Sequence, residues 1–283
     1  RGAVFMSYSV SDLQEIQKKA VDVRANILAM IPPGKVGHFG GSCSAADIVA
    51  ALYFKHMNVY DDPHDPRRDR CIFSKGHAVL AQYACFVELG YVDRNELSKV
   101  KTLNGILQGH PDMMTPGIEA VTGSLGQGLS IAVGMSLGLR LNKSNSRVYV
   151  VLGDGEISEG QIWEAAMAAS VYKLDNLCAI LDKNGVQATD AIEKVFPIPD
   201  LKEKWAAFGW HVIEIDGHNV KDILEALAEA DQVKGMPTMI IAHTVKGKGF
   251  PFAEGKAKYH NAAMSEEDYQ QALEIIKQMR KEV

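Results

Sequence analysis

The stretch that most constrains this chain is a run of five strand-forming residues, Val148–Leu152, ending in Gly153-Asp154-Gly155. A charge is thus pinned at the carboxyl end of an apolar strand, with a glycine on either side. In open parallel sheets, ligands bind outside the carboxyl ends of the strands. The flanking glycines would let a ligand come close, or let the backbone take a conformation barred to other residues. The junction therefore predicts both a sheet and a place on it.

The rest of the chain fits such a sheet. Apolar runs alternate with helical periods, the pattern of an α/β fold with a mostly parallel sheet flanked by helices. Strands are predicted at Cys71–Phe73, Val148–Leu152, Leu177–Leu181, His211–Ile215 and Thr238–Ala242. Helices are predicted over Val10–Ile31, Ala45–His56, Ala78–Leu89, Gly126–Leu141, Glu159–Val171 and Val220–Ala230, and a last amphipathic one over Ser265–Arg280. No repeat or linker divides the chain, since the Pro-broken loop Tyr60–Arg70 is too short to separate domains. All 283 residues are read as one domain, with Met6 as the native start and Arg1–Phe5 as a remnant. At that size about 75% of the unfolded surface can be buried in one core.

Composition narrows the partners. A net charge of -5 without a Lys/Arg block argues against nucleic acid. No apolar stretch of about 20 residues predicts a membrane span. Cys43, Cys71, Cys85 and Cys178 are scattered and form no CxxC, which suggests reduced, buried thiols in the cytoplasm.

The strand Leu177–Leu181 runs on into Asn184 and Gly185, thirty residues after Asp154. Two adjacent strand ends would then present hard oxygen ligands, Asp154 and Asn184. Magnesium favours one or two protein oxygens together with phosphate and water. Ser158-x-x-Gln161 reads as a capping box that starts the next helix, whose N-terminus would suit a phosphate. Together these residues predict a metal–diphosphate cradle.

GDG followed by this Asn resembles the signature of thiamine-diphosphate enzymes, and "GDGEISEGQIWEAAMAASVYKLDNL" more closely resembles transketolase, in particular the separate N-terminal subunit of split transketolases. "GHFGGSCSAADI", "SKGHA", "GHPD", "TGSLGQGLS", "FGWHVIEIDGH" and "TVKGKGFPFAEGKAKYH" fall in family order. The resemblance implies the diphosphate-binding fold, thiamine diphosphate, and Mg²⁺ (or Ca²⁺) held by Asp154, Asn184 and the main-chain oxygen of Val186. It brings Gly123, Ser124, Leu125, Gly153, Gly155 and Glu156 to the cofactor, with Leu125 against the thiazolium ring. It sends His77 and His260 to the diphosphate, and places His38 and His110 by the substrate's hydroxyl and carbonyl oxygens. Glu159 falls at a subunit interface near the route between paired sites, although an acid at a helix start is also favoured by the dipole alone.

Taken residue by residue, the four motif histidines lie in loops, three of them directly after a glycine, where function concentrates. His56, His64, His211, His218 and His243 are read as structural. "TGSLGQG" also suits a dinucleotide loop, but it lacks a clear strand before it and a ribose-binding acid after it. Gly134 and Gly138, four apart in the following helix, suit close core or dimer packing.

Two departures bear on the substrate. Thr189-Asp190 stands where the family has Asp-Gly, and Tyr259-His260-Asn261 where it has Trp-His-Gly. The resemblance covers only the diphosphate module. It therefore implies a separate pyrimidine-binding subunit in an α2β2 heterotetramer, transferring a two-carbon ketol unit from a ketose phosphate to an aldose phosphate. The rivals are a deoxyxylulose-phosphate synthase or 2-oxo acid dehydrogenase component, a dinucleotide oxidoreductase, and a scaffold without activity.

Overall fold

All five predicted strands form, and they make one parallel sheet. The computed structural model describes residues 8–283, so the reading of Met6 as a start lies outside the described residues. In chain order the strands are β1 (Val36–Gly37), β2 (Arg70–Phe73), β3 (Val148–Gly153), β4 (Leu177–Lys183), β5 (His211–Asp216), β6 (Thr238–His243) and β7 (Ala262–Ala263). The sheet runs β2-β3-β4-β6-β5, while β1 and β7 pair antiparallel as a separate ribbon. Register places Gly153 beside Asp182, and Asp182 beside Ala242.

Side chains alternate between two cores, as a period of two requires. Tyr149 and Val151 of β3, Cys178 and Ile180 of β4, and Ile240 and Ala242 of β6 enter one core. Val148, Val150 and Leu152, with Ala179, Leu181, Met239 and Ile241, enter the other. The first is covered by α1 (Val10–Met30), α2 (Phe39–Ser44), α3 (Ala46–Ala51), α4 (Leu80–Glu88), α9 (Val220–Gln232) and α10 (Glu266–Glu282). The second is covered by α5 (Gln127–Leu141), α6 (Gly160–Val171) and α8 (Leu201–Ala207). Between β4 and α8 lies the short α7 (Ile192–Val195). Covered on both faces, the central strands need no polar alternation. β5, at the edge, is half-exposed.

Several expectations are corrected. Ala45–His56 is not one helix: α3 widens at Leu52–His56 into a π turn, which brings the His56 ring 2.8 Å from the Tyr149 hydroxyl. Helix α2 was not expected, because two glycines and two serines weaken a six-residue helix. It forms because all six residues are buried. The Ser158–Gln161 capping box does not form. A 3-10 turn over Glu156–Ser158 intervenes, so α6 starts one turn away from Asp154 with Glu159 at its N-cap position. Ser158 donates back to Gly155 O at 2.8 Å, and Gln161 donates to Ser130 at 2.9 Å. The α4 segment likewise begins as a 3-10 turn, Gly76–Ala78.

Among the described residues, Gly134 and Gly138 have open space beside them: a Cβ at either would meet no atom within 4 Å. The four cysteines are free and buried. Among the described residues no helix is long and apolar enough to cross a membrane.

Candidate active site

The carboxyl ends of four strands meet around Asp182, the penultimate residue of β4. This carboxylate is fully buried and accepts from Lys75 Nζ just past β2, from Thr244 Oγ1 just past β6, from Ser44 Oγ at 2.6 Å and from Asn184 Nδ2 at 3.1 Å. Burial opposes its charge, but the Lys75 ammonium and these hydrogen bonds more than offset that and hold its pKa below the usual carboxylate range. Lys75 also donates to Gly41 O at 3.0 Å. One carboxylate thus locks the end of α2 and the turns after β2, β4 and β6.

Asp154, one residue past β3, is 6% exposed and accepts from two backbone N–H groups, Gly155 at 2.9 Å and Gly185 at 2.5 Å. Burial pushes its pKa up, and the Asp182 charge pushes it further the same way. The bond from Gly185 ties the β3 end to the β4 end and needs Gly185 at φ +77°, a backbone that favours glycine. Neither Gly153 nor Gly155 takes a positive φ, contrary to one of the two sequence expectations. Gly155 is instead crowded, since a Cβ there would lie 3.2 Å from Gln187. Asn184 Oδ1 accepts from Val186 N at 3.2 Å, and Val186 O accepts from Lys246 Nζ at 2.8 Å. Asp154, Asn184 and Val186 O therefore offer oxygen acceptors along one linked turn, with the Asp154 charge destabilised by burial and by Asp182. Hard oxygens on two neighbouring strand ends fit Mg²⁺. Among the described residues no group of three or more His, Cys, Asp or Glu side chains is arranged to hold a metal.

All four motif histidines converge. Ring centroids of His38 lie 5.2, 5.7 and 5.5 Å from those of His77, His110 and His260, and His77 lies 4.8 Å from His260. The β1–β7 ribbon explains one pairing: Gly37 opposite Ala262 brings His38 against His260. Burial depresses His38 to about 3, His77 to about 2 and His260 to about 4, with neighbouring histidines and lysines adding to it. His110, on the exposed loop, is lowered by burial and by Lys101. The cluster is thus neutral near pH 7, with ring nitrogens available as donors or acceptors.

Gly123 is held at φ +132°, where a Cβ would strike the His110 ring at 2.6 Å. Thr122 Oγ1 donates to Phe73 O at 2.6 Å, which ties the Gly123-Ser124-Leu125 loop to the end of β2. Ser124 is exposed and Leu125 half-buried. Glu156 is 2% exposed and accepts from Ser74 Oγ, from Gly126 N at 2.9 Å and from Gly153 N at 3.0 Å. Both its oxygens are used within the fold, so it braces the loops around Asp154. Glu159 is exposed.

A cavity of about 590 Å³ opens beside the histidines, lined by His38, Ala188, Thr189, Ala257, Lys258, His260 and Asn261. Both departing segments reach it. The Thr189 segment is closed by a bridge between Val186 and Ala191, and Gln187 N donates to Asp190 O at 3.0 Å. Tyr259 is buried, and its hydroxyl donates to Asp268 at 2.8 Å, anchoring the His260 turn on α10.

Sequence reasoning missed Asp182, Lys75 and Lys246. Asp182 carries the same signal as Asp154, an acid at the end of an apolar run. Lys75 and Lys246 sit inside the quoted "SKGHA" and "TVKGKG". Lys246 is 2% exposed, stands 3.0 Å from His260 Nδ1, and is lowered to about 8 by burial and by Lys75.

A parallel sheet with a histidine-lined cradle at its carboxyl edge belongs to a cofactor-binding α/β enzyme class, and the relatives narrow that class. Residues 16–278 match the family described as transketolase, thiamine diphosphate binding domain. The chain belongs to the transketolase family. It is 40% identical to an apulose-4-phosphate transketolase subunit from Phocaeicola vulgatus, covering 92% of this chain and 94% of the relative. It is 43% identical to the 6-deoxy-6-sulfo-D-fructose transketolase subunit SqwG of a Clostridium species, covering 92% and 95%. Human transketolase is 39% identical over 93% of this chain, but the match spans only 42% of that protein. The transketolase structure from Campylobacter jejuni superposes with a TM-score of 0.86 at 32% identity, covering 93% of this chain and 43% of that one. The chain thus spans nearly all of the relatives named as subunits and less than half of the single-chain enzymes. These relatives favour a transketolase-type transferase working with a partner subunit over the other thiamine-diphosphate enzymes considered.

Proposed function

We propose that this chain is the diphosphate-holding half of a two-chain transketolase, moving a two-carbon ketol unit from a ketose to an aldose that each carry an anionic end group. The convergence of His38, His77, His110 and His260, tied through Lys246 to the Val186 turn that also holds Asp154 and Asn184, carries this reading, because those six residues come from separated segments. Thiamine diphosphate, when bound, supplies the electron sink for carbon–carbon bond cleavage.

The chain's own residues then divide the work. Asp154, Asn184 and Val186 O hold Mg²⁺, or Ca²⁺ in its place, and so anchor the diphosphate. His77, His260 and Lys246 add positive or hydrogen-bonding partners for its oxygens, with Gly123, Ser124, Leu125, Gly153 and Gly155 forming the backbone walls. A diphosphate beside His77 and His260 raises their pKa values from the depressed range, as any nearby anion does. His38 and His110 stay neutral and present N–H or ring nitrogen to the sugar's oxygens, where a proton leaves or returns. Lys258 and Asn261, on the cavity wall, face the part of the sugar that distinguishes one substrate from another. Two of the relatives are named for a phosphate sugar and a sulfo sugar, which share an anionic end.

The assembly is α2β2 and cytoplasmic, in carbohydrate metabolism of the pentose phosphate type. Four free thiols suit a reducing compartment. The open face of α5 and α6, with Gly134, Gly138, exposed Leu141, Met167, Val171 and Tyr172, and Glu159 at its edge, suits contact with a second copy.

The test is reconstitution. The chain alone is expected to be inactive; with its pyrimidine-binding partner, Mg²⁺ and thiamine diphosphate, it converts a ketose phosphate and an aldose phosphate. Robust turnover by the single chain overturns the reading. Within the active complex, His38→Ala and His110→Ala lower turnover by roughly a hundred- to a thousandfold. His77→Ala and His260→Ala instead raise the cofactor concentration needed. Identical behaviour of His38→Ala and His77→Ala in both measurements would discard that division of roles.

A further inference from the structure

Against the Lys246 turn packs a buried polar group that the site described above does not use. Arg24 of α1 donates from Nη1 and Nη2 to Asp47 Oδ1 and Oδ2 of α3, at 2.9 and 2.6 Å. His218, in the turn between β5 and α9, places Nδ1 at 2.7 Å from Asp47 Oδ2, and its Nε2 accepts from Val245 N at 2.8 Å. Because Nε2 is the acceptor, the ring proton sits on Nδ1 and is donated to Asp47. Arg24 also donates from Nε to Lys248 O at 3.1 Å.

One carboxylate therefore holds, through two side chains, the N–H of Val245 and the C=O of Lys248. These residues bracket Lys246 and Gly247. Gly247 N adds a third tether, to Gly40 O at 2.9 Å. Gly40 itself has no room to spare, since a Cβ there would lie 2.9 Å from Lys246 Cγ. Burial works against the Asp47 charge, and Arg24 and His218 more than offset it, keeping the carboxylate ionised across the neutral range. A buried ion pair is weak evidence for stability, since apolar residues of similar volume often do as well. Its arms end instead on backbone atoms beside the one lysine that touches Val186 O and His260.

We propose that Asp47, through Arg24 and His218, is a positioning residue that sets where the Lys246 ammonium stands against the cofactor's diphosphate. The proposal rests on the cofactor reading above. It predicts that loosening the turn weakens cofactor binding although neither Asp47 nor His218 touches the cofactor.

The experiment is calorimetric titration of thiamine diphosphate, with Mg²⁺ present, into the reconstituted two-subunit complex, alongside melting of each variant. Lys246→Met reports on the cradle itself and is expected to weaken binding. His218→Phe keeps the ring volume but loses the Val245 bond, and is expected to weaken binding by about ten- to a hundredfold, as losses of orienting partners do at other sites. His218→Gln restores an acceptor within reach of Val245 N and recovers most of that loss. If Lys246→Met weakens binding and His218→Phe does not, the positioning role is wrong and the cradle stands. If Lys246→Met leaves binding unchanged, the cradle reading fails and takes the proposal with it. Equal losses in His218→Phe and His218→Gln also overturn it, because packing alone would explain them. Should His218→Phe fail to assemble, His218→Asn takes its place. It keeps a donor for Asp47 but is too short for Val245, and it should bind as weakly as His218→Phe is expected to; unchanged binding overturns the proposal.

Discussion

Asp154 and Asp182 stand at the ends of neighbouring strands, one position apart in register, yet their surroundings are opposite. Asp182 receives an ammonium, two hydroxyls and an amide, which more than offset the burial that opposes its charge. Asp154 receives two backbone N–H groups and faces the Asp182 charge, so its ionised form is held at a cost. The first arrangement finishes a structure. The second leaves a charge that the fold does not offset, as the proposed metal site requires. The contrast shows that two acids in similar sequence positions differ in what the fold supplies: it offsets the charge of one internally and leaves the other's opposed.

The largest effect expected from breaking this contrast is on stability. Asp182→Asn leaves Lys75 buried without its anion and should cost about 3–5 kcal/mol in denaturant unfolding. Adding Lys75→Met to Asp182→Leu should recover much of that loss. If Asp182→Asn unfolds at the wild-type denaturant midpoint, Asp182 is not the keystone described. Asp154→Ala should do little to folding but weaken binding of thiamine diphosphate with Mg²⁺ by more than about a hundredfold, beyond the loss typical of a group behind the ligands. Calorimetry on the reconstituted complex checks this, and unchanged affinity removes Asp154 from the metal site.

A smaller effect separates the two acids by pH. The folded pKa of Asp154 is raised, so the unfolded state releases its proton first and the metal-free chain loses stability as pH rises through that folded pKa. Asp182 has a lowered folded pKa, so its contribution is present above the unfolded value and is lost as pH falls through the folded one. Asp154→Asn should therefore raise the metal-free melting temperature at pH 7 and leave it near wild type at pH 3. A lower melting temperature at pH 7 would mean that Asp154 is already compensated within the fold. The histidines add a separate signal on the acid side. His38 and His77 titrate far below the ordinary range, so acidification below about 6.5 favours the unfolded state, which takes up the protons first. His77→Asn should flatten that acid limb, and an unchanged limb would show that His77 is not desolvated.

The sheet was legible because Val148–Leu152, Leu177–Leu181 and Thr238–Ala242 are unbroken apolar runs, which only strands covered on both faces require. The four histidines were legible through loop motifs, three with a glycine just before the histidine, and a family resemblance, not through spacing. Local rules failed where long-range packing decides. Gly40 and Gly41 argue against helix α2, yet complete burial imposes it. Ser158 and Gln161 have the right spacing for a cap, but the 3-10 turn after Asp154 sends both side chains to other partners. Asp182 was passed over because Asn184, two residues on, carried the recognised signal. The β1–β7 ribbon, two residues on each side, leaves no periodicity to read.

The strand order has a consequence for how the chain is made. Among the described residues β5 pairs only with β6, and β6 lies between β5 and β4. On a ribosome adding about 5–20 residues each second, His211–Asp216 emerges before the strand it must join. Until Thr238–His243 follows, the nascent sheet ends at β4, whose Leu177–Leu181 edge is apolar and has unpaired backbone groups. Such edges recruit other chains. Lys246 and His260 follow β6 closely, so the sheet covers the apolar β4 edge and gains two groups of the proposed site in one short interval of translation. A stall between β5 and β6 would therefore leave a chain that is both incompetent and prone to self-association.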